Sequence, residues 1–282
     1  MRLGSAELNL ISDGTFRMDG GIMFGVVPKA IWGKLYPADR KNRVDLGLNC
    51  LLIRTGGKNV LVDTGLGTKY DRKAQSIFHM QAGQLVSNLA RVGLQPEEID
   101  LVVLTHLHFD HVGGCTQYNH QRQPEPVFSK ATHLVQRQDW VEATQTNERT
   151  RAAYRPEDFL PLEESKQLVQ LDGDAELLPG LWVRRIGGHT AGHQMVYIES
   201  DGEKAACLGD LLPTAHQLPV NYMTAYDLYP PETLDAKRHW LARAEAENWL
   251  LILGHGIDQK AGRLTRRDGR LSLTPLDMDQ VN

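Results

Sequence analysis

Polar and apolar residues alternate through Glu7-Leu8-Asn9-Leu10-Ile11-Ser12 and then meet Asp13-Gly14, so the first predicted element is a strand ending there. Two longer apolar runs, residues 46–54 and 58–62, flank Thr55-Gly56-Gly57, a hairpin signal. The second run leads into Asp63-Thr64-Gly65. Leu85, Val86, Leu89 and Val92 share one helical face, and Gly93 supplies a stop. Pro96-Glu97-Glu98 reads as the first turn of another short helix, with its acids at the positive end. Leu101-Val102-Val103-Leu104 is apolar without interruption, as expected of a strand over 101–105 buried on both faces.

Residues 132–136 predict a further strand, and 139–144 and 148–154 predict helices. The Pro and charge content of residues 115–180 suggests a surface excursion that shapes a pocket or a dimer contact. Strands follow at 182–186, 194–199 and 205–208. Pro231 opens a helix reaching 248, residues 249–253 form a last core strand, and Arg267-Asp268-Gly269 turns a small hairpin. This order predicts an α+β chain with two packed sheets and helices outside, in one domain over 1–282.

The chemistry gathers where apolar runs end. His106-Leu107-His108-Phe109-Asp110-His111 follows the 101–105 strand directly. Imidazole nitrogen and carboxylate oxygen are ligands that suit zinc, iron, manganese or cobalt. In extended chain His106 and His108 project to one side, while Leu107 and Phe109 point into the core. Asp110 and His111 lie past the strand end and turn toward a second ion. His189 follows its strand through Gly187-Gly188, Asp210 through Gly209 and His255 through Gly254, which implies one shared sheet edge.

The net charge of −4 supplies no basic excess for a nucleic-acid partner. The longest apolar runs are strand-sized, so no membrane span is expected. The stretch Met1 to Glu7 lacks the apolar segment of a signal peptide, and Cys50, Cys115 and Cys207 are too scattered for a disulfide framework. Both features suit a cytoplasmic protein.

The His-x-His-x-Asp-His block at 106–111, the isolated His189, Asp210 and His255, the upstream Asp63-Thr64-Gly65 and the stretch Gly188-His189-Thr190-Ala191-Gly192-His193 together resemble the metallo-β-lactamase superfamily. That resemblance runs from about residue 46 to residue 255 and implies an αββα sandwich with its site at one edge. It implies that His106, His108 and His189 hold a first metal, that Asp110, His111 and His255 hold a second, and that Asp210 bridges both. Asp63 would orient the motif histidines, and His193 would be a supporting residue. Residues 12–16, 23–28, 48–52 and 209–213 resemble the N-acyl homoserine lactonases and the methyl parathion hydrolases in particular. Many such lactonases place a Tyr three residues after the bridging Asp. Pro213 stands there in this chain, leaving Tyr222 or Tyr226 to supply a phenol, or no phenol at all. Met23, Phe24, Val26 and Trp32 read either as core or, as the resemblance implies, as a lid over an apolar substrate group. His216 reads either as a pocket residue or as surface.

The resemblance therefore implies a hydrolase with two divalent cations, zinc first, with iron, cobalt or manganese accepted by the same ligands. Two adjacent cations acidify a shared water, and Asp110 passes a proton to the leaving alkoxide. No Gly-x-Ser-x-Gly elbow is present to suggest a serine nucleophile. The expected substrate is small, neutral and partly apolar: a lactone of the N-acyl homoserine type or a carboxylic ester. An organophosphate triester is the rival in the same site. The alternative from another class is a di-iron sensor or redox protein, against which His108 stands where flavodiiron relatives carry Glu. A homodimer is compatible with the resemblance.

Overall fold

The computed structural model describes residues 1–278; residues 279–282, the close of the expected 1–282 domain, lie outside the described residues. The first sheet takes β1 (Arg2–Leu3), β2 (Ala6–Asp19), β3 (Arg43–Thr55), β4 (Lys58–Val62) and β5 (Leu101–Val103). β6 (Thr116–Tyr118) and β7 (Pro124–Pro126) pair with each other outside it, and β8 (Thr132–Gln136) and β9 (Leu168–Leu171) complete it. The second sheet runs in order through β10 (Ala175–Leu178), β11 (Leu181–Arg185), β12 (Gln194–Ser200), β13 (Glu203–Cys207), β14 (Leu250–Ile252), β15 (Ala261–Arg267) and β16 (Arg270–Pro275). Both sheets are mixed: β4, β5, β8 and β9 are parallel neighbours, as are β13 and β14. The helices are α1 (Gly20–Phe24), α2 (Lys29–Trp32), α3 (Arg72–Phe78), α4 (Leu85–Arg91), α5 (Phe109–Val112), α6 (Arg137–Thr144), α7 (Pro156–Glu164) and α8 (Pro230–Ala246). No helix among the described residues is long and apolar enough to cross a membrane.

The uninterrupted apolar runs are explained by burial on both faces. Leu51 and Ile53 of β3, Val60 and Val62 of β4, and Val103 of β5 meet Ala205, Cys207, Leu250 and Ile252 in a core between the sheets. The alternate residues Cys50, Leu52, Leu61 and Val102 pack outward with α4 and α7 side chains such as Leu89 and Phe159. On the far side Ala206 and Leu251 pack with Leu241 and Ala244 of α8. The result is the helix–sheet–sheet–helix sandwich that was expected. Cys50, Cys115 and Cys207 are free and buried.

Three local expectations differ from the structure. β2 does not stop at Asp13-Gly14; the register shifts there as a bulge and the strand continues to Asp19. The Asp13 carboxylate accepts from the N–H groups of Leu66, Gly67, Gly83 and Leu85 at 3.0–3.1 Å, so the bulge anchors two segments. Gly14 has φ +126, and a Cβ there would lie 1.8 Å from the Gln81 carbonyl oxygen, so only glycine fits. Residues 148–154 are not a helix. Asn147 Oδ1 accepts from the N–H groups of Arg149 and Thr150, a side-chain turn that competes with helix, and α7 starts only at Pro156. α8 begins one residue earlier than expected, with Pro230 and Pro231 in its first turn.

Candidate metal centre

The predicted metal ligands arrive together at one edge of the sandwich. β5 delivers His106 and His108 and runs into α5, which carries Asp110 and His111. The loop after β11 brings His189 and His193, the turn after β13 brings Asp210, and the turn after β14 brings His255. His106, His108, His111, His189, His193 and His255 are all buried.

The imidazoles are clamped from behind. Asp63, at φ +57 just past β4, accepts from Thr105 N–H at 2.8 Å, from the Thr105 hydroxyl at 2.9 Å and from His111 Nδ1 at 2.9 Å. His189 Nδ1 donates to Asp227 at 2.7 Å, and His255 Nδ1 donates to the Gly47 carbonyl at 2.8 Å. Each of these bonds fixes a tautomer and aims Nε2 inward. His108 instead presents Nδ1, 3.1 Å from His189 Nε2. His111 and His255 face each other with their Nε2 atoms 3.2 Å apart.

Asp210 lies between the two groups. Its Oδ2 is 3.3 Å from His189 Nε2, while its Oδ1 is 3.2 Å from His255 Nε2 and 3.4 Å from His111 Nε2. Asp110 adds Oδ2 at 3.6 Å from His255 Nε2 and Oδ1 at 3.9 Å from His111 Nε2. Ligand atoms of His106, His108 and His189 lie within 4.8 Å of one another, as do those of His106, His111 and Asp210 and those of Asp110, His111 and His255.

These residues fit divalent cations. Ligands 2.0–2.1 Å from a tetrahedral zinc stand about 3.3 Å from each other, close to the spacings above. His106 Nε2 is buried without a hydrogen-bond partner among the described residues. The charges agree. Burial, reinforced by His111 and His108, holds the His106 imidazole well below its ordinary pKa, and burial with His189 does the same to His108. At His111 burial disfavours the cation, but Asp210, Asp63 and Asp110 together raise its pKa well above the usual value. Burial also opposes the cationic forms of His189 and His255, and Asp210 leads the groups that raise both. Burial works against the Asp210 anion, yet His111, His255 and His189 hold its pKa well below the carboxylate range. Burial thus keeps His106 and His108 neutral with lone pairs to give, while the carboxylates draw positive charge to His111, His189 and His255, and both conditions favour metal ions.

Around this floor the structure sorts the remaining candidates. A narrow cavity of about 20 Å³ opens above His108, Asp110, Asp210 and His255, walled by Met18, Met23, Leu46, Phe109 and Tyr226. Phe109 therefore forms cavity wall and does not point into the intersheet core, because the chain has already turned into α5. A side chamber of about 220 Å³, with Ile22, Ala225 and Leu228 among its walls, shares His108, Ala153 and Tyr226 with that cavity. Phe24 and Trp32 stack on each other at 5.0 Å in a buried cluster, and Tyr222 meets Phe24 edge-on at 6.2 Å. Val26 is 87% exposed. His216 stacks on Tyr36 at 4.4 Å. None of these five lines either cavity. The Pro213 carbonyl accepts from His255 N–H at 3.0 Å, so this residue supports the site through its backbone. His193 Nε2 accepts from Asp210 N–H at 3.1 Å; burial, with His189 nearby, lowers its pKa to about 3 and keeps it a neutral acceptor.

Sequence reasoning missed Asp227 and Asp139. Asp227 sits 38 positions from the His189 it holds. Asp139 is wholly buried, its pKa pushed up to about 7 by that burial, and it accepts from Leu107 N–H at 2.6 Å. Each is a lone acid in unremarkable sequence, with no spacing signal to mark it.

The model of the metallo-beta-lactamase superfamily matches residues 43–255. An N-acyl homoserine lactonase from a Bacillus species is 31% identical over 170 residues, which are 56% of this chain and 60% of that protein. The chain thus spans about three fifths of the length of that curated relative. The crystal structure of a probable metal-dependent hydrolase from Staphylococcus aureus superposes with TM-score 0.89 at 31% identity, covering 97% of this chain and 99% of that one. A dizinc quorum-quenching lactonase in complex with a product, N-hexanoyl-L-homoserine, shares the fold with TM-score 0.81 at 21% identity, covering 98% of this chain and 96% of that one.

Proposed function

We propose that this chain, which belongs to the metallo-beta-lactamase superfamily, is a hydrolase with two divalent cations, zinc first among them, that opens a lactone or carboxylic ester. His106, His108 and His189 would hold one cation, and Asp110, His111 and His255 the other. Asp210 would serve both. The observation that carries this reading is the division of the Asp210 carboxylate, one oxygen toward His189 and the other toward His111 and His255. The likeness to N-acyl homoserine lactonases supports the lactone as the first substrate to try. Residues 1–278 act as one domain in this reading, since both sheets contribute to a common core.

Bound there, the cations supply an acidified water and positive charge for the acceptor oxygen. The remaining work falls to the chain. Asp110, whose carboxylate borders the cavity, receives the proton that the attacking water gives up. It returns that proton to the leaving oxygen as the acyl–oxygen bond breaks. Tyr226 borders the same cavity and is the tyrosine placed to give its phenol to the substrate carbonyl, the role left open by Pro213. The side chamber takes the apolar part of the substrate, and Met23, Leu46 and Phe109 keep water away from the reacting bond.

The test is a panel of acyl homoserine lactones, aryl esters and aryl phosphotriesters, run on zinc-loaded and exhaustively chelated protein. Lactone or ester turnover that disappears on chelation and returns with zinc is expected. Brisk triester cleavage with no lactone or ester turnover would replace the substrate assignment, and full activity after chelation would end the metal reading.

A further inference from the structure

We infer that Asp139 is a positioning residue dedicated to one of the two cation positions, the one formed by His106, His108 and His189. The inference rests on the reading of that cluster as a metal site and adds a division of labour within it.

Asp139 lies in the first turn of α6 and has no exposed surface. One carboxylate oxygen accepts from the N–H of Leu107, the residue between His106 and His108. The other accepts from the hydroxyl of Thr190, the residue after His189. A single side chain therefore ties together the residues next to all three imidazoles of one group, although their segments come from different sheets. The fit is close. A Cβ on Gly192 would lie 2.2 Å from Asp139 N and 2.5 Å from Asp139 Cβ, so glycine lets the His189 loop rest directly on α6. One turn along, Glu142 accepts from Ala191 N–H at 2.9 Å and from the Tyr229 hydroxyl at 3.1 Å, holding the same loop a second time.

Asp63 has the matching task on the other side, through Thr105 and His111. Asp139 makes no contact with His111, Asp110 or His255 among its hydrogen bonds. Asp63 also reaches His106 through the Thr105 hydroxyl, 3.1 Å from His106 Nδ1, whereas the hydrogen bonds of Asp139 serve the first group alone. Outer carboxylates of this kind change metal affinity by about 10- to 100-fold when removed, because the ligands they orient no longer converge.

The decisive measurement is zinc affinity of the apoprotein, by competition with a chromophoric chelator, for Asp139→Ala placed in two backgrounds. His255→Ala keeps the first position, and His189→Ala keeps the second. Asp139→Ala is expected to weaken the remaining ion by about 10- to 100-fold in the His255→Ala background and to leave it unchanged in the His189→Ala background. Asp139→Asn should restore most of the affinity, since its amide oxygen accepts from Leu107 and its nitrogen donates to Thr190. Should Asp139→Ala fail to fold, Thr190→Val in the same backgrounds is expected to give a smaller loss with the same selectivity. Equal losses in both backgrounds, or none in either, overturn the inference while leaving the metal site standing. A wild-type protein that binds no zinc overturns both.

Discussion

Exchanging Asp63 for Asn swaps one carboxylate oxygen for an amide nitrogen and keeps the side chain's shape. Asn also tolerates the left-handed backbone at this position, φ +57, where Ala would add strain. The carboxylate now receives N–H from Thr105, O–H from Thr105 and N–H from His111. An amide can offer its oxygen to only one side of that arrangement. Its nitrogen then faces either the Thr105 N–H or the His111 Nδ1–H, donor against donor. A buried donor without an acceptor costs about 1–3 kcal/mol. At 1.4 kcal/mol per factor of ten, that weakens the His111 cation position by roughly 5- to 140-fold. The other position, which Asp63 reaches only indirectly through the Thr105 hydroxyl beside His106 Nδ1, should change less. The assay is stepwise zinc titration of the apoprotein against a chromophoric chelator, with circular dichroism to confirm the fold. A clearly larger loss at one affinity than at the other is the expected result. Two unchanged affinities would show that Asp63 orients nothing. Two equal losses with a native spectrum would mean that the two positions are not supported independently.

Other perturbations separate further roles. Asp110→Asn keeps an oxygen toward the cluster but cannot carry a proton, so kcat of the zinc-saturated protein should drop by roughly 10²- to 10⁴-fold; an unaltered kcat removes Asp110 from proton transfer. Tyr226→Phe should lower kcat by roughly 10²-fold with little change in KM, whereas a rise in KM alone would make Tyr226 only a wall of the cavity. His133, buried in β8, has its pKa lowered by that burial to about 4. The unfolded chain takes up this proton first, near the free imidazole's pKa of about 6.5. Stability is therefore lost as pH falls from there to about 4, by about 3 kcal/mol. His133→Leu should flatten that part of a urea-midpoint series against pH, and an unchanged slope would clear His133.

The sandwich was legible because its core strands are buried on both faces, which leaves long apolar runs such as 46–54 and 101–105 with a polar ligand or glycine at the end. The cluster was legible for the same reason, since His189, Asp210 and His255 each stand where such a run stops. What could not be read depends on contacts between distant segments. Asp227 and Asp139 became visible only once the loops had closed on them. The strand stop expected at Asp13 was a bulge, because its carboxylate finds partners on segments more than fifty residues away. The cavity wall combines Met23, Leu46, Phe109 and Tyr226, a set that no local periodicity brings together. Phe24, Trp32 and Tyr222 share the aromatic character of a lid but meet each other instead.

The ligand cluster draws four of its members from the chain that follows β5 of the first sheet and three from turns of the second. Ions seated there would act as rivets along one margin of an otherwise hydrophobic sandwich. Tight occupancy contributes to the native state in proportion to the logarithm of free metal, about 2.7 kcal/mol at a hundred times the dissociation constant. Thermal resilience of this protein should thus track the metal supply of its surroundings, and starvation for zinc would loosen the seam between the layers as well as silence the chemistry.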